Sequence, residues 1–275
     1  MSGIITLTTD FGLADEYAGV MKGVILALAP AARIIDLSHG IEPQNIAQAA
    51  YLINSGSRYF PDNTVHLVVV DPGVGSNRRL LLVGARRQLF LAPDNGVLSL
   101  LLNGEDFSFA HLVANEELFA KPVSKTFHGR DILAPVAAHI ATGIALNKVG
   151  PRLRREELTQ LHLGATLAPD GKSIEGLVIQ VDRFGNLITN IDRQTTQQLA
   201  DKSGGTALTV MIGDRVISNL ADCYDDVPPG EVLSLFGSRN YLEIAVNQGN
   251  ANKFLGVIVG DIVQLRTGKS FSLQK

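Results

Sequence analysis

The stretch of this sequence best placed to do chemistry is an aspartate between an apolar run and a glycine-containing loop. Asp71 follows the valine-rich run 65–70, and Gly73, Gly75 and Arg78 come after it. Such a run, bounded by turn residues, predicts a strand buried on both faces, as in a parallel sheet. Ligands of open α/β sheets bind beyond the carboxyl ends of the strands, so Asp71 and Arg78 are candidate site residues. The alternative is that Asp71 caps the turn and Arg78 pairs with it at the surface.

A second strand ends in the same way near the N-terminus. Residues 4–9 are rich in β-branched types, and the strand that they predict ends at Asp10, before a Phe-Gly loop. Asp15 is a plausible N-cap for a helix that runs to about Ala29, with Tyr17 among its apolar, core-facing positions. Two further carboxylates, Asp10 and Asp15, therefore join Asp71 in loops that follow strands.

A histidine directly before an apolar helix is the third candidate. His128 lies in the segment Thr-Phe-His-Gly-Arg-Asp, which precedes a helix predicted from Ile132 to about Thr142. Backbone N–H groups at the start of a helix bind anions and oxygen atoms well. A single histidine in this place is more often a capping or packing residue. Taken with Asp71 and Arg78, it becomes a candidate to orient and deprotonate a water molecule.

Several familiar catalytic signatures are absent from the sequence. It has no phosphate-binding loop after Gly73, no GxGxxG, no HExxH, no CxxC and no GxSxG. The remaining Asp, His and Arg residues suit the activation of water beside a bound substrate. With His39 added, they would instead suit a divalent metal for phosphoester hydrolysis. The residues alone indicate a hydrolase or transferase and leave both possibilities open.

Composition restricts the class of partner. The chain has 275 residues, is 45% hydrophobic and has a formal net charge of -3, without long runs of Lys or Arg. This argues against nucleic acid or an anionic membrane as the main partner. No apolar stretch approaches the ~20 residues needed to cross a bilayer. The N-terminus does not read as a signal peptide, and a single cysteine, Cys223, cannot form an internal disulfide. We therefore expect a cytoplasmic protein.

The pattern of elements predicts two domains. Strands alternate with helices in the first part of the chain, which predicts a three-layer α/β domain with a mostly parallel sheet over residues 1–165. Short strands separated by turns follow, which predicts an all-β barrel or sandwich over residues 166–275. Two polar turns of this second domain, 182–186 and 238–241, are predicted to form a rim that closes over a ligand.

Blocks that cover nearly the whole chain resemble the S-adenosylmethionine (SAM) hydroxide adenosyltransferase family, which is related to fluorinating and chlorinating enzymes that act on the same substrate. The matching blocks are TTDFG (8–12), Asp15, GVMKG (19–23), VDPGVG (70–75), PDNG (93–96), FHGRD (127–131), DRFGNLITN (182–190) and LEIA (242–245). The resemblance implies that water or hydroxide attacks C5′ of the adenosyl group, which releases methionine and leaves adenosine. SAM is then the substrate, and no cofactor or metal is expected.

The resemblance also assigns the site residues. The Asp–Arg–His set of the family falls on Asp71, Arg78 and His128. A sulfonium is already a good leaving group, so the protein needs to hold one water in line behind C5′, which can supply up to ~7–11 kcal/mol. Asp10 would accept hydrogen bonds from the ribose hydroxyls. Contacts to the methionine moiety fall on Asp15, Asp182 and Ser238. Contacts near the adenine or the nucleophile fall on Phe127, Gly129, Asn186 and Arg239.

The resemblance further implies a homotrimer, with each site between the α/β domain of one subunit and the β domain of its neighbour. The halogenating relatives carry a tyrosine at the position of Asp71 and another aromatic residue at that of His128. A carboxylate beside the nucleophile would repel a halide ion, so hydrolysis is expected. Asn240 departs from the glycine that relatives commonly carry there. A metal-dependent phosphoesterase and a non-catalytic adenosine or SAM sensor are the alternatives.

Overall fold

The computed structural model describes residues 3–103, 106–202, 208–218 and 220–267. The chain divides into two compact units, Met1–His162 and Leu163–Lys275, here called the N-terminal and C-terminal units. Each unit has its own sheet and its own apolar core. A site residue is therefore positioned first of all by the sheet of its own unit.

The N-terminal unit is built on a seven-stranded sheet. Its strands are β1 (Ile4–Thr9), β2 (Arg33–Ser38), β3 (Val65–Val69), β4 (Leu80–Ala85), β5 (Gln88–Pro93), β6 (Phe107–Leu112) and β7 (Arg152–Leu153). They lie in the order β2-β1-β3-β5-β4-β6-β7. The first four in this order are parallel neighbours. The last three pair in antiparallel fashion. The predicted α/β class, with a largely parallel sheet, is confirmed.

Helices cover both faces of this sheet. The helices are α1 (Tyr17–Leu28), α2 (Ile46–Gly56), α3 (Ser99–Leu102) and α4 (Ala134–Ala141), and a π-helical turn (Gly129–Leu133) leads into α4. Side chains of β3 alternate between two apolar clusters, since Leu67 and Val69 pack with α1 and α4, whereas Val68 and Val70 pack with α2 and α3. This alternation makes the three layers and explains why β3 is apolar at every position except His66.

The start of α1 differs from its prediction. Its N-cap residue is Glu16, with no side-chain capping bond, so the proposal that Asp15 caps the helix is wrong. Tyr17, predicted to face the core, is 43% exposed. Buried Ala18, Met21 and Ile25 instead form the core-facing stripe. The helix therefore begins at the edge of the unit, where Tyr17 faces outward. Within the described residues, no helix combines the length and apolar character needed to span a membrane.

The C-terminal unit is an antiparallel, barrel-like sheet. Its strands are β8 (Thr166–Leu167), β9 (Ser173–Val181), β10 (Leu187–Asp192), β11 (Leu208–Ile212), β12 (Arg215–Ile217), β13 (Leu220–Ala221), β14 (Val232–Phe236), β15 (Tyr241–Val246) and β16 (Ile262–Thr267). The order is β12-β11-β16-β9-β10-β15-β14-β13, with β8 beside β9. Among the described strands of this unit, only β13 and β14 pair in parallel. Two helices that the strand pattern did not predict accompany them, α5 (Arg193–Lys202) and α6 (Ala251–Leu255).

Candidate functional site

The first candidate site lies at the carboxyl edge of the parallel strands. β1 and β3 are parallel neighbours, so the loops that follow them begin side by side. Asp10 follows the first of these strands, and Asp71 follows the second after one further residue. His128 comes from the segment directly before the π-helical turn. A cavity of about 500 Å³, here called the N-terminal cavity, opens at this edge. Its walls include Asp10, Tyr17, Asp71, Phe127, His128 and Gly129.

Arg78 joins Asp71 to His128 in a hydrogen-bonded set that we call the Asp–Arg–His triad. Its Nε donates to Oδ1 and Oδ2 of Asp71 at 2.6 and 2.7 Å, and its Nη2 also donates to Oδ2. Its Nη1 lies 3.0 Å from Nδ1 of His128. The side chains of Asp71 and Arg78 are only 6% and 9% exposed. The two buried charges satisfy each other, and breaking the pair would leave one of them without a partner.

The protonation state of His128 follows from this contact. A guanidinium group has only donors, so Nδ1 must accept the hydrogen bond from Arg78, and the proton of the neutral ring is assigned to Nε2. Burial lowers the pKa of His128, and the charge of Arg78 lowers it further, against the opposing charges of Asp71 and Asp131. We therefore describe His128 as a neutral imidazole whose one ring N–H is a donor, with the backbone of Ser124 among its hydrogen-bond partners.

Two glycines allow the triad to assemble. Gly75 has a φ of 79°, and a Cβ at this position would overlap the carbonyl oxygen of Lys125. A Cβ at Gly129 would lie 3.1 Å from Cγ1 of Val69 and 3.3 Å from Sδ of Met21. A side chain at either position would push the segment that carries His128 away from the β3 end of the sheet. Close packing thus explains why glycine occupies positions 75 and 129.

The remaining wall of the N-terminal cavity is a carboxylate and an aromatic cluster. Oδ2 of Asp10 accepts the backbone N–H of Gln44 at 2.8 Å, which fixes the carboxylate at the cavity edge. The rings of Phe11, Tyr17 and Phe127 lie with their centroids 5.4–5.7 Å apart. Such a surface is suited to the flat, partly apolar face of a ligand ring.

The second candidate site lies in the C-terminal unit. A cavity of about 880 Å³, here called the C-terminal cavity, is bordered by Asp182, Asn186, Tyr224, Ser238, Arg239 and Glu243. Asp182 is held by its own turn: Oδ1 accepts the N–H groups of Phe184 and Asn186 at 2.8 and 2.9 Å. Nη1 of Arg239 donates to Oε1 of Gln180 at 2.9 Å. The two polar turns predicted from the sequence therefore border one cavity.

Comparison with known families agrees with this arrangement. The family model described as "SAM hydroxide adenosyltransferase N-terminal domain" matches residues 5–150, and that of the corresponding C-terminal domain matches residues 176–264. This chain belongs to the SAM hydroxide adenosyltransferase family. The resemblance predicted from the sequence is thus confirmed. Both matches lie within single structural units, so the two-part family architecture and the fold agree.

Individual relatives in the SAM hydroxide adenosyltransferase family are similar over most of their length. The (R)-S-adenosyl-L-methionine hydrolase of Thermus thermophilus is 36% identical over 264 residues, which cover 94% of this chain and 97% of that protein. The fluorinase of Actinopolyspora mzabensis is 28% identical over 272 residues, which cover 89% and 90%. A crystal structure of an uncharacterized conserved protein from Thermotoga maritima has a TM-score of 0.86 at 38% identity, covering 95% of this chain and 99% of that chain.

The structure places nine of the residues suggested by the family resemblance at the two cavities, and the other two, Arg78 and Asp15, border neither cavity. Asp10, Asp71, Phe127, His128 and Gly129 border the N-terminal cavity. Asp182, Asn186, Ser238 and Arg239 border the C-terminal cavity. Arg78 reaches the first cavity only through its partners in the triad. Asp15 is exposed and does not border the N-terminal cavity.

Sequence reasoning missed several residues that border these cavities. Tyr17 was assigned to the core because it fits the helical period, although its place at the first turn of α1 puts it at the carboxyl edge. Gln44 holds Asp10 through its backbone with a φ of 66°, which no side-chain pattern reveals. Arg130 lies 5.2 Å from the Phe127 ring centroid and was read only as part of a family block. Glu243 was read only as part of the family block 242–245, and Tyr224 lies in a turn that belongs to none of the matching blocks.

Arg130 and Asp131 form an adjacent ion pair that supports the segment carrying His128. Nε of Arg130 donates to Oδ1 of Asp131 at 2.6 Å, and the N–H of Ser124 donates to Oδ2 at 2.8 Å. Burial raises the pKa of Asp131, but these hydrogen bonds and the charge of Arg130 outweigh burial and bring it below its usual value. The ionised carboxylate thus ties residues before and after His128 together.

His39, which the metal alternative required, is engaged elsewhere. Its Nδ1 lies 2.8 Å from Oγ1 of Thr9, and its Nε2 lies 3.0 Å from Oδ1 of Asp36. It is 4% exposed and does not border the N-terminal cavity. In the part of the chain that the structure describes, no group of three or more His, Cys, Asp or Glu residues is arranged to hold a metal ion.

Proposed function

We propose that this protein is an S-adenosyl-L-methionine hydrolase, which transfers the adenosyl group of SAM to water. The observation that carries this proposal is the Asp71–Arg78–His128 triad at the wall of a cavity, in a chain that belongs to the SAM hydroxide adenosyltransferase family. The 36% sequence identity to a curated (R)-S-adenosyl-L-methionine hydrolase over nearly the full length supports the same reaction.

In the proposed reaction the protein positions a nucleophile and lets the substrate supply its own leaving group. The oxygen of a water molecule forms a bond to C5′ as the C5′–S bond breaks, and the bonding electrons leave with sulfur to give neutral methionine thioether. One proton of the water is lost to a base or to solvent, which leaves adenosine. Holding the water in line behind C5′ is worth up to ~7–11 kcal/mol of the barrier.

Asp71 is our candidate for the group that accepts the proton of this water. Nδ1 of His128 already accepts a hydrogen bond from Arg78, so the neutral ring offers a donor N–H rather than a base. The carboxylate of Asp71 has lone pairs beyond those that meet Arg78, and it borders the cavity. We assign His128 to orienting the water and Arg78 to fixing both partners.

Substrate contacts complete the proposal. Asp10 accepts hydrogen bonds from the ribose hydroxyls, Phe127 provides a ring surface for the ligand, and the backbone at Gly129 faces the nucleophile. In the C-terminal cavity, Asp182 and Ser238 bind the methionine moiety, whereas Asn186 and the backbone of Arg239 bind the adenine. Asp15, which is exposed in the single subunit, is assigned to the methionine moiety in the assembled protein.

We further propose that the protein is a cytoplasmic homotrimer. The proposed contacts to one SAM molecule divide between two cavities in different units, which favours sites shared between the N-terminal unit of one subunit and the C-terminal unit of its neighbour. Light scattering coupled to size-exclusion chromatography measures the assembly directly. A monomeric enzyme with full activity would contradict the shared site.

The deciding experiment is incubation of the purified protein with SAM in ¹⁸O-water without added metal, followed by mass spectrometry. We expect ¹⁸O in the 5′-hydroxyl of adenosine and an equal amount of methionine, unaffected by a chelator. Binding without consumption would indicate a SAM sensor. Activity that disappears with the chelator and acts on phosphoesters would indicate the metal-dependent alternative.

A further inference from the structure

The C-terminal cavity contains a second carboxylate that has no role in the proposed reaction. Glu243 lies in β15, is 7% exposed and borders the cavity. Its Oε1 accepts the hydroxyl of Tyr224 at 2.5 Å. Its Oε2 packs against Gly237, where a Cβ would overlap it. The carboxylate is thus held in one position beneath the turn that carries Ser238.

This carboxylate is buried without a cationic partner. In the described part of the chain, no Lys, Arg or His nitrogen lies within 4.0 Å of a carboxylate oxygen of Glu243 or Asp182. Burial raises the pKa of Glu243, and the charge of nearby Asp182 raises it further, against the opposing hydrogen bond from Tyr224 and the charge of Arg239. A buried carboxylate is costly unless a cation or several donors meet it. A cationic ligand that enters the C-terminal cavity would offset this cost of burying the carboxylate.

The charges that border the cavity complement those of the proposed substrate. Asp182 and Glu243 contribute two carboxylates, and Arg239 contributes one guanidinium, whose Nη1 bonds to neutral Gln180. The methionine part of SAM has two cationic groups, the sulfonium and the ammonium, and one carboxylate. Within this cavity, Asp182 without Glu243 can match only one of the two cations at short range.

We propose that Glu243 is a specificity-determining residue that binds the cationic methionyl end of SAM, with Tyr224 holding its carboxylate in place. This inference rests on the proposed function and names the residue that distinguishes charged SAM from neutral adenosine. Glu243 contributes to binding rather than to the attack of water, so its removal acts on KM. The adenosine half of the ligand does not contact it.

The test compares Glu243→Gln with the wild type through steady-state turnover of SAM and inhibition by two competitors. The competitors are adenosine and S-adenosylhomocysteine, which lacks the sulfonium charge. We expect KM for SAM to rise about tenfold, while the inhibition constant of adenosine and kcat change less than about threefold. The constant for S-adenosylhomocysteine should rise by an intermediate factor because its ammonium remains. Glu175→Gln, an exposed glutamate in β9, is the matched control and should change none of these values.

Glu243→Asp separates charge from packing. It keeps the negative charge, so it should recover SAM selectivity over adenosine at least in part, even where the shorter side chain lowers stability. Equal weakening of SAM and adenosine in both variants, or an unchanged KM in Glu243→Gln, would overturn the inference and leave the hydrolase function standing. Absence of SAM turnover and binding in the wild type would overturn the proposed function and this inference together.

Discussion

The two cavities hold their charged groups in opposite ways. In the N-terminal cavity Asp71 has a guanidinium partner, and both side chains are nearly buried before any ligand arrives. In the C-terminal cavity Asp182 and Glu243 meet only neutral donors of their own unit. A group that directs a water molecule benefits from being fixed in advance. A carboxylate that binds a cationic ligand needs no cationic partner in the protein, because the ligand supplies the positive charge. Substitutions in the Asp–Arg–His triad should therefore act on kcat, and substitutions of Asp182 or Glu243 should act on KM.

The largest effect is expected from Asp71→Asn. The amide keeps the size of the side chain but can no longer accept a proton from water, so kcat should fall about 10²–10⁴-fold with a smaller change in KM. Steady-state kinetics measure both values, and a melting curve checks that the variant is folded. Asp62→Asn, in an exposed ion pair with Arg87, is the control. If Ser238→Ala in the other cavity lowered kcat as strongly, the division between the cavities would fail.

The second prediction concerns the stability of the triad. Arg78→Met leaves the Asp71 carboxylate buried without its cation, and we expect a loss of about 3–5 kcal/mol in the free energy of unfolding. Arg87→Met, whose guanidinium group lies on the surface beside Asp62, should cost at most about 1 kcal/mol. Denaturant titration measures both. The pKa of His128, followed by NMR, should rise in Arg78→Met because a neighbouring positive charge is lost. An unchanged pKa would contradict the contact.

The third prediction is that His66 and Glu243 change the stability of the folded state in opposite directions as the pH falls. Burial lowers the pKa of His66 to about 4 from 6.5, so the unfolded chain binds its proton more readily. The contribution of neutral His66 to the free energy of unfolding is complete above pH 6.5, and about 3 kcal/mol of it is lost as the pH falls to 4. Glu243 has a raised pKa, so protonation at low pH favours the folded C-terminal unit instead.

The free energy of unfolding, measured from pH 4 to 7, tests the contribution of His66. His66→Phe retains a ring beside Phe90, which His66 stacks on at 4.8 Å, but it gives up the hydrogen bond to Thr6. We expect this variant to be less stable at pH 7 and to have a smaller acid-dependent loss. His162→Gln, at an exposed position, should keep the wild-type slope. The same slope in His66→Phe as in the wild type would show that another group controls the acid response.

Much of the fold followed from residue patterns because burial imposes them. The valine-rich run of β3, interrupted only by His66, indicated a strand with two covered faces, and the loop with Asp71 then had to lie at a sheet edge. The start of α1 was wrong by one residue because Asp15 is a good capping type, whereas the actual N-cap makes no side-chain bond. Helix α5 was missed because its sequence is strongly polar. Only its contacts with the sheet, such as buried Leu199, stabilise it.

The candidate site was less predictable where it depends on backbone conformation and on charge. Asp71 and His128 could be singled out by residue type and position, but their joint contact with Arg78 needs a close approach of distant loops. That Nδ1 of His128 accepts rather than donates follows from geometry alone. Glu243 was one polar residue in an otherwise largely apolar strand, and its residue type does not show that its side chain is buried. Its missing cation becomes visible only when its neighbours in three dimensions are known.

The smallest effect is expected at Asn240, in the turn that carries Ser238 and Arg239. Asn240 has a φ of 62°, a left-handed conformation that glycine adopts freely and asparagine tolerates better than most residues. Asn240→Gly should therefore change the free energy of unfolding by no more than about 0.5 kcal/mol and leave KM for SAM within about twofold. Asn240→Val, which strains the same turn, should destabilise the protein and raise KM because Ser238 and Arg239 lie in that turn. If Asn240→Gly raised KM as much as Asn240→Val, the asparagine side chain itself would have to contact the ligand.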